Sequence, residues 1–211
     1  MRDWLRRLRR VLLSHRLCNP EVLQQDPWVA IDCETTGLHP KRDRILQIAF
    51  VPFDKQTVFT DQAACFEIKT EHYSSTASVV HGLLSGEGVW LEHEALQQVA
   101  LHCQHKWIVG HFVTFDRDMI EAACQRHRIT WQAKGYIDTM QLALKLEQMH
   151  TFVEATPNPQ LFTLAALCQR FQLPLEDEHT ASGDALATAL LFQSLFHRFE
   201  ERKARLPVIM D

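Results

Sequence analysis

Asp32 and Glu34 are separated by one residue in the run Asp32-Cys33-Glu34-Thr35-Thr36-Gly37-Leu38. Alternate residues on a strand share a face, so the two carboxylates point the same way, roughly 7 Å apart. Such a pair repels unless a positive charge lies between its members, and hard divalent cations such as Mg²⁺ accept carboxylate oxygens. A third carboxylate, Asp116, ends the run Val109-Gly110-His111-Phe112-Val113-Thr114-Phe115-Asp116. A fourth closes His179-Thr180-Ala181-Ser182-Gly183-Asp184. Singly, each has an ordinary explanation. Asp-x-Glu fits a solvated strand end, Asp116 and Asp184 fit as helix N-caps, and a lone histidine is more often structural. The order and spacing of all three runs carry more than any one of them.

These residues need elements to hold them. Trp28-Val29-Ala30-Ile31 is short, apolar and β-prone, and predicts a buried strand ending at Asp32. Arg44 to Phe53 and Thr57 to Lys69 predict two more strands, with Pro52 and Asp54 marking a turn. Glu92 to His105 predicts a helix, Trp107 to Gly110 a strand, and Asp116 to Arg126 a helix. Tyr136-Ile137 is a brief strand before a helix through Leu146, and further helices cover Thr163 to Phe171 and Asp184 to Lys203. Strands come first, then strands alternate with helices, which implies a mixed sheet covered by helices in one α/β domain. Thr151 to Gln160, with Pro157 and Pro159, predicts a long surface loop. Residues 3–14 read as an amphipathic helix, with Trp4, Leu5, Leu8, Val11 and Leu12 on one face. The expected organisation is a basic helix and linker over 1–25, a main domain over 26–205 and a tail over 206–211.

The chain of 211 residues carries a net charge of −4, which does not suggest a protein that binds phosphates through its overall field. The balance is uneven: residues 1–20 sum to +5 and the remainder to −9. An acidic body can still act on phosphodiesters if cations occupy its carboxylates. The six cysteines are scattered without a Cys-x-x-Cys pair, which fits neither a zinc framework nor a disulfide scaffold and points to a reducing, cytoplasmic setting. No run of apolar residues is long enough for a membrane span. His102 and His105 are helix neighbours but offer only two ligands, too few for a zinc site.

The order Asp-x-Glu, then Phe-Asp after a strand, then His-x-x-x-x-Asp resembles the DEDD exonuclease superfamily in its His-containing (DEDDh) branch. That branch includes the proofreading epsilon subunit of bacterial DNA polymerase III. The likeness runs from about Trp28 to Phe196. His81-Gly82-Leu83 is similar to the branch's His-Gly-Ile turn, and Ile137-Asp138-Thr139 to its Asp-Thr strand end. Leu164 to Phe171 is similar to the helix before its final motif.

The resemblance implies a ribonuclease H-like fold with a five-stranded mixed sheet flanked by helices. It implies Asp32, Glu34, Asp116 and Asp184 as ligands to two divalent cations, Mg²⁺ or Mn²⁺, and His179 as general base. Those roles suit the chemistry, since paired cations activate a water and steady the leaving 3′ oxygen, and an imidazole ordinarily titrates near 6.5. It implies stepwise removal of nucleoside 5′-monophosphates from a 3′ end of single-stranded or frayed DNA, in repair or replication, with RNA the alternative polymer. Thr35, Thr36, Gly37, Leu38 and His81 would face the terminal nucleotide. One departure stands out. The branch usually carries Asn after the His of its second motif, and this chain has Phe112, exchanging a polar contact near the site for an apolar ring. Asp138 is expected to hydrogen-bond structurally and not to bind metal. A non-catalytic assembly subunit and a related endonuclease are the competing readings. Retention of all five site residues disfavours the first, and the His-x-x-x-x-Asp spacing disfavours the second. A proofreading role would need a DNA polymerase supplied as a separate partner.

Overall fold

The computed structural model describes residues 16–23, 27–69, 88–150 and 158–210. The expected helix over 3–14, His81 and its turn, and residues 151–157 of the expected loop lie outside the described residues. In chain order the elements are β1 (Arg16–Cys18), α1 (Pro20–Leu23), β2 (Trp28–Thr35), β3 (Ile45–Phe53) and β4 (Ala64–Glu67). They continue with α2 (Glu92–Cys103), β5 (Trp107–Gly110), α3 (Thr114–His127), β6 (Gly135–Asp138) and α4 (Thr139–His150). The chain closes with α5 (Leu164–Phe171), α6 (Ala181–Glu201) and β7 (Leu206–Val208).

Five strands form one mixed sheet in the order β4-β3-β2-β5-β6. β2 pairs antiparallel with β3 and parallel with β5, so it is central. A central strand covered on both faces should be apolar nearly throughout, and β3 beside it is buried at all nine positions. The two faces bury different sets. Trp28 and Ala30 of β2 join Ala49, Val51 and Phe53 of β3 in a core closed by α4 and α6. Val29, Ile31 and Cys33 join Ile48 and Phe50 in a second core closed by α2 and α3.

α6 seats on the first face through small residues. Ala181, Ala185 and Ala189 are fully buried at a spacing of four, which lets the helix approach the sheet closely. Lower down, Phe192 and Phe196 pack on Trp28, with ring centroids 4.8 and 4.9 Å away. Burying each ring contributes about 1.5–3 kcal/mol, enough to set the helix direction.

Three expectations change. β2 does not end at Asp32 but runs to Thr35, because pairing continues through Cys33↔Ile48 and Glu34↔Gln47. The strand expected over Thr57 to Lys69 is shorter: a 3-10 turn occupies Thr60–Gln62, and Ala64–Glu67 form β4. Asp54 closes the preceding turn by accepting the Gln56 and Thr57 amides. The stretch expected as a tail contains β7, which pairs with β1, while Tyr136 and Ile209 exchange two backbone hydrogen bonds. All six cysteines are free thiols. No helix among the described residues is long and apolar enough to cross a membrane.

Candidate metal centre

The centre lies where β2 and β5 part. Their pairing covers Trp28, Val29 and Ala30 and then stops, because β5 ends at Gly110 and turns through His111 to Val113 into α3. Beyond Ala30 the β5-facing edge of β2 has no strand partner among the described residues, and a buried amide left bare there would be costly. Asp116, in the first turn of α3, fills the gap: its Oδ1 accepts the Cys33 N–H at 3.0 Å. Such crevices beyond strand ends are where α/β sheets place their sites.

Asp32 and Glu34 continue the face of Trp28 and Ala30, under the N-terminus of α6. Thr180 caps that helix by accepting the Gly183 N–H at 3.2 Å, which sets Asp184 in the first turn. One carboxylate oxygen each from Asp32, Glu34 and Asp184 lie within 4.8 Å of one another. Three of the four expected ligands thus come together, and the fourth, Asp116, is buried and bound to the Cys33 amide between Asp32 and Glu34.

The electrostatics are unfavourable for four bare carboxylates. Burial, and then the charge of Asp184, pushes the Glu34 carboxyl up to about 7. Asp32 rises well above the usual range through burial and the charges of Asp116, Asp184 and Glu34. Burial also raises Asp116, although the Cys33 amide opposes it. Asp184 rises through burial, against the counter-pull of His179. Its Oδ1 is buried without a hydrogen-bond partner among the described residues. An all-carboxylate donor set with a buried orphan oxygen fits a hard divalent cation, whose charge would offset the repulsion.

His179 sits at the rim. Its φ is +67°, its side chain is 63% exposed, and its Nε2 lies 3.9 Å from Glu178 Oε1. The backbone and the imidazole of His179 both favour the ionised Asp184 carboxylate, against burial. Among the expected substrate contacts, Thr35 Oγ1 donates to the Gly37 carbonyl and Thr36 Oγ1 accepts the Arg44 amide, so both hydroxyls close the loop after β2. Leu38 stands exposed at its tip, and Gly37 packs on the Asp43 carboxylate.

Asp138 is an organiser. Buried, it accepts amides from Phe112, Val113, Met140 and Gln141, and burial lifts its carboxyl to about 6 against those bonds. Phe112 has a left-handed φ of +66°, a conformation that Asn adopts far more readily than Phe. The branch's usual Asn therefore has a backbone reason at this turn. Gln47 was not singled out from sequence. It is buried, pairs in register with Glu34, and its Oε1 accepts the Ala181 N–H at 2.7 Å, pinning the start of α6. The available signal was a lone amide inside an otherwise apolar nine-residue strand.

The chain resembles known proteins over most of its length. The profile of the RNase T family, described as exonuclease, matches residues 29–192. The chain is 28% identical over 179 residues to the 3′-5′ exonuclease DinG of Staphylococcus haemolyticus, covering 82% of this chain and 18% of that protein. It is 30% identical over 183 residues to the PolC-type DNA polymerase III of Streptococcus agalactiae serotype III, covering 85% of this chain and 12% of that one. The chain thus spans less than a fifth of these relatives' length. Its fold superposes on E. coli exonuclease I in complex with a dT13 oligonucleotide, with a TM-score of 0.71 at 18% identity, over 84% of this chain and 42% of the other.

Proposed function

The chain belongs to the RNase T exonuclease family, and from that we propose that it removes nucleotides singly from the 3′ end of single-stranded or frayed DNA. The observation that carries this reading is the meeting of Asp32, Glu34 and Asp184 oxygens within 4.8 Å at the end of the central strand. Asp32, Glu34, Asp116 and Asp184 would hold two divalent cations, Mg²⁺ or Mn²⁺. Bound there, the cations would supply charge for the attacking water and the leaving 3′ oxygen. His179 takes the proton of that water, reaching inward from the rim as the substrate docks; such contacts commonly tighten only in the loaded site. Leu38 lies against the terminal base, and the products are a nucleoside 5′-monophosphate and a strand one residue shorter. DNA is the favoured polymer because DinG and PolC are the relatives, and exonuclease I was crystallised on an oligo-dT strand. The PolC likeness supports a DNA polymerase acting as a separate partner.

The test uses 3′- and 5′-labelled single-stranded DNA and RNA of one sequence, with Mn²⁺ or Mg²⁺, against EDTA and His179→Ala controls. Mononucleotides leaving the 3′ end, dependent on metal and lost in the variant, are the expected result. Oligonucleotide products, or cleavage of a circular strand, would contradict it. Faster loss of RNA would move the substrate to RNA.

A further inference from the structure

A groove of about 660 Å³ lies between the loop after β2 and the outer face of α3. His39, Lys41 and Arg42 line one wall, and Asp118, Glu121 and Gln125 the other. Both walls belong to elements that already border the centre. The loop leaves β2 through Thr35 and Leu38, and α3 carries Asp116 in its first turn. The lining positions on α3 run from 118 to 125, so the groove follows the helix for about 10 Å away from Asp116.

The charges in it are unequally available. Asp118 is held by the Arg117 guanidinium at 2.7 Å, and Glu121 lies 4.0 Å from the same guanidinium and 3.4 Å from the Tyr136 hydroxyl. Lys41 and Arg42 are exposed, and neither is ion-paired among the described residues. Lys41 and Arg42 are therefore the cations this groove offers a ligand, on a chain whose residues after position 20 sum to −9.

The cationic wall is also built in place. His39 donates its N–H to Asp43 Oδ2 at 2.7 Å, and its carbonyl accepts the Arg42 and Asp43 amides. Arg126 Nη1 donates to the Pro40 carbonyl at 3.2 Å while Nη2 is fixed on Glu92 at 2.7 Å. The backbone of this wall, braced to two helices, is thus ordered before a strand binds.

We infer that this groove carries the single strand upstream of its terminal nucleotide, with Lys41 and Arg42 on the phosphates. The inference rests on the exonuclease reading and adds to it a track for the rest of the polymer. It predicts dependence on substrate length, which the metal centre alone does not.

The test compares Lys41→Ala/Arg42→Ala with the wild-type chain on a dinucleotide and on a twelve-residue oligodeoxynucleotide. KM for the longer strand is expected to rise roughly tenfold, with kcat and dinucleotide hydrolysis unchanged. Binding of the labelled twelve-mer, read by anisotropy with Ca²⁺ in place of Mg²⁺, should weaken in parallel. The slope of log Kd against log salt should flatten by about 1.4, two phosphate contacts at about 0.7 each. Equal effects on both substrates, or unchanged binding of the twelve-mer, would overturn the inference. The anisotropy arm reads the groove even if neither substrate is cut, so failure of the catalytic reading and failure of this one are separable.

Discussion

Asp116 Oδ1 accepts the backbone N–H of Cys33 at 3.0 Å, the amide that lies between Asp32 and Glu34 on β2. One carboxylate thus closes the strand edge left by β5 and brings its charge to the centre. The two jobs separate by substitution. Asp116→Ala leaves a buried amide unpaired and is expected to cost about 1–3 kcal/mol. Asp116→Asn keeps an acceptor oxygen and removes a repelling charge, so the metal-free protein should melt no lower than wild type. Its stabilisation by Mn²⁺ should shrink, since a ligand raises Tm only as far as it binds the native state. Thermal melts with and without Mn²⁺ decide. An Asn variant that keeps the full Mn²⁺ gain would remove Asp116 from the metal site.

The raised carboxyls fix how stability depends on pH. Glu34 is lifted from 4.5 to about 7, chiefly by burial and then by Asp184, and Asp138 from 3.8 to about 6, chiefly by burial. In that window the folded protein holds protons the unfolded chain has shed. Stability from these groups is full below their unfolded values and is lost as pH rises through the folded ones. Between pH 5 and pH 7 the metal-free Tm of wild type should therefore fall relative to that of Glu34→Gln, a difference to which buried His111, held down to about 4, does not contribute. The gain in Tm from Mn²⁺ should be larger at pH 8 than at pH 6, because protons no longer compete. A metal-free difference between wild type and Glu34→Gln that does not change from pH 5 to pH 7 contradicts the assignment.

What could be read from sequence followed local period. Asp32 and Glu34 share a face because the strand repeats every two residues, and Asp184 falls in a first helical turn because Thr180 caps it. The mixed sheet followed from the order of apolar runs. What was hidden depends on contacts far apart in the chain. Gln47 meets Ala181 across 134 residues, and no local pattern announces such a bond. The end of β2 was misplaced because charged residues read as a strand end, whereas β3 goes on pairing beneath them. The resemblance has Thr35 and Thr36 face the terminal nucleotide, and contacts across the loop add that their hydroxyls also close the turn that carries Leu38.

Phe112 is unusual through its backbone more than its ring. At φ +66° it bears strain of about 1–2 kcal/mol that Asn largely avoids, while its partly buried ring packs on the α6-side core. Phe112→Asn exchanges lost packing for relieved strain and should stay within about 1 kcal/mol of wild type. Phe112→Ala loses packing and keeps the strain, so it should fall below the Asn variant by about 1 kcal/mol. Exonuclease activity should survive Phe112→Asn, since the link from this turn to Asp138 runs through the backbone N–H. Urea melts of the two variants measure the difference, and an Ala variant as stable as Asn refutes the strain argument.

Gly183 shows how closely the His179 loop is held to α6. A Cβ there would lie 2.5 Å from the carbonyl oxygens of both Glu176 and Asp177. Glycine to alanine inside a helix ordinarily stabilises by about 1 kcal/mol. Here the neighbours are backbone and cannot swing aside, so the sign should reverse. Gly183→Ala is expected to lower Tm and to push residues 176–179 off the first turn of α6, carrying the His179 imidazole with them. On the proposed role of His179 as general base, worth about 10²–10⁴ in rate, the displaced loop should forfeit a large part of that in kcat. Asp32, Glu34 and Asp184 stay on β2 and α6, so stabilisation by Mn²⁺ should persist. Single-turnover hydrolysis beside Mn²⁺ melts reads both effects. A variant that melts higher and cleaves normally would mean the loop is not held by this contact.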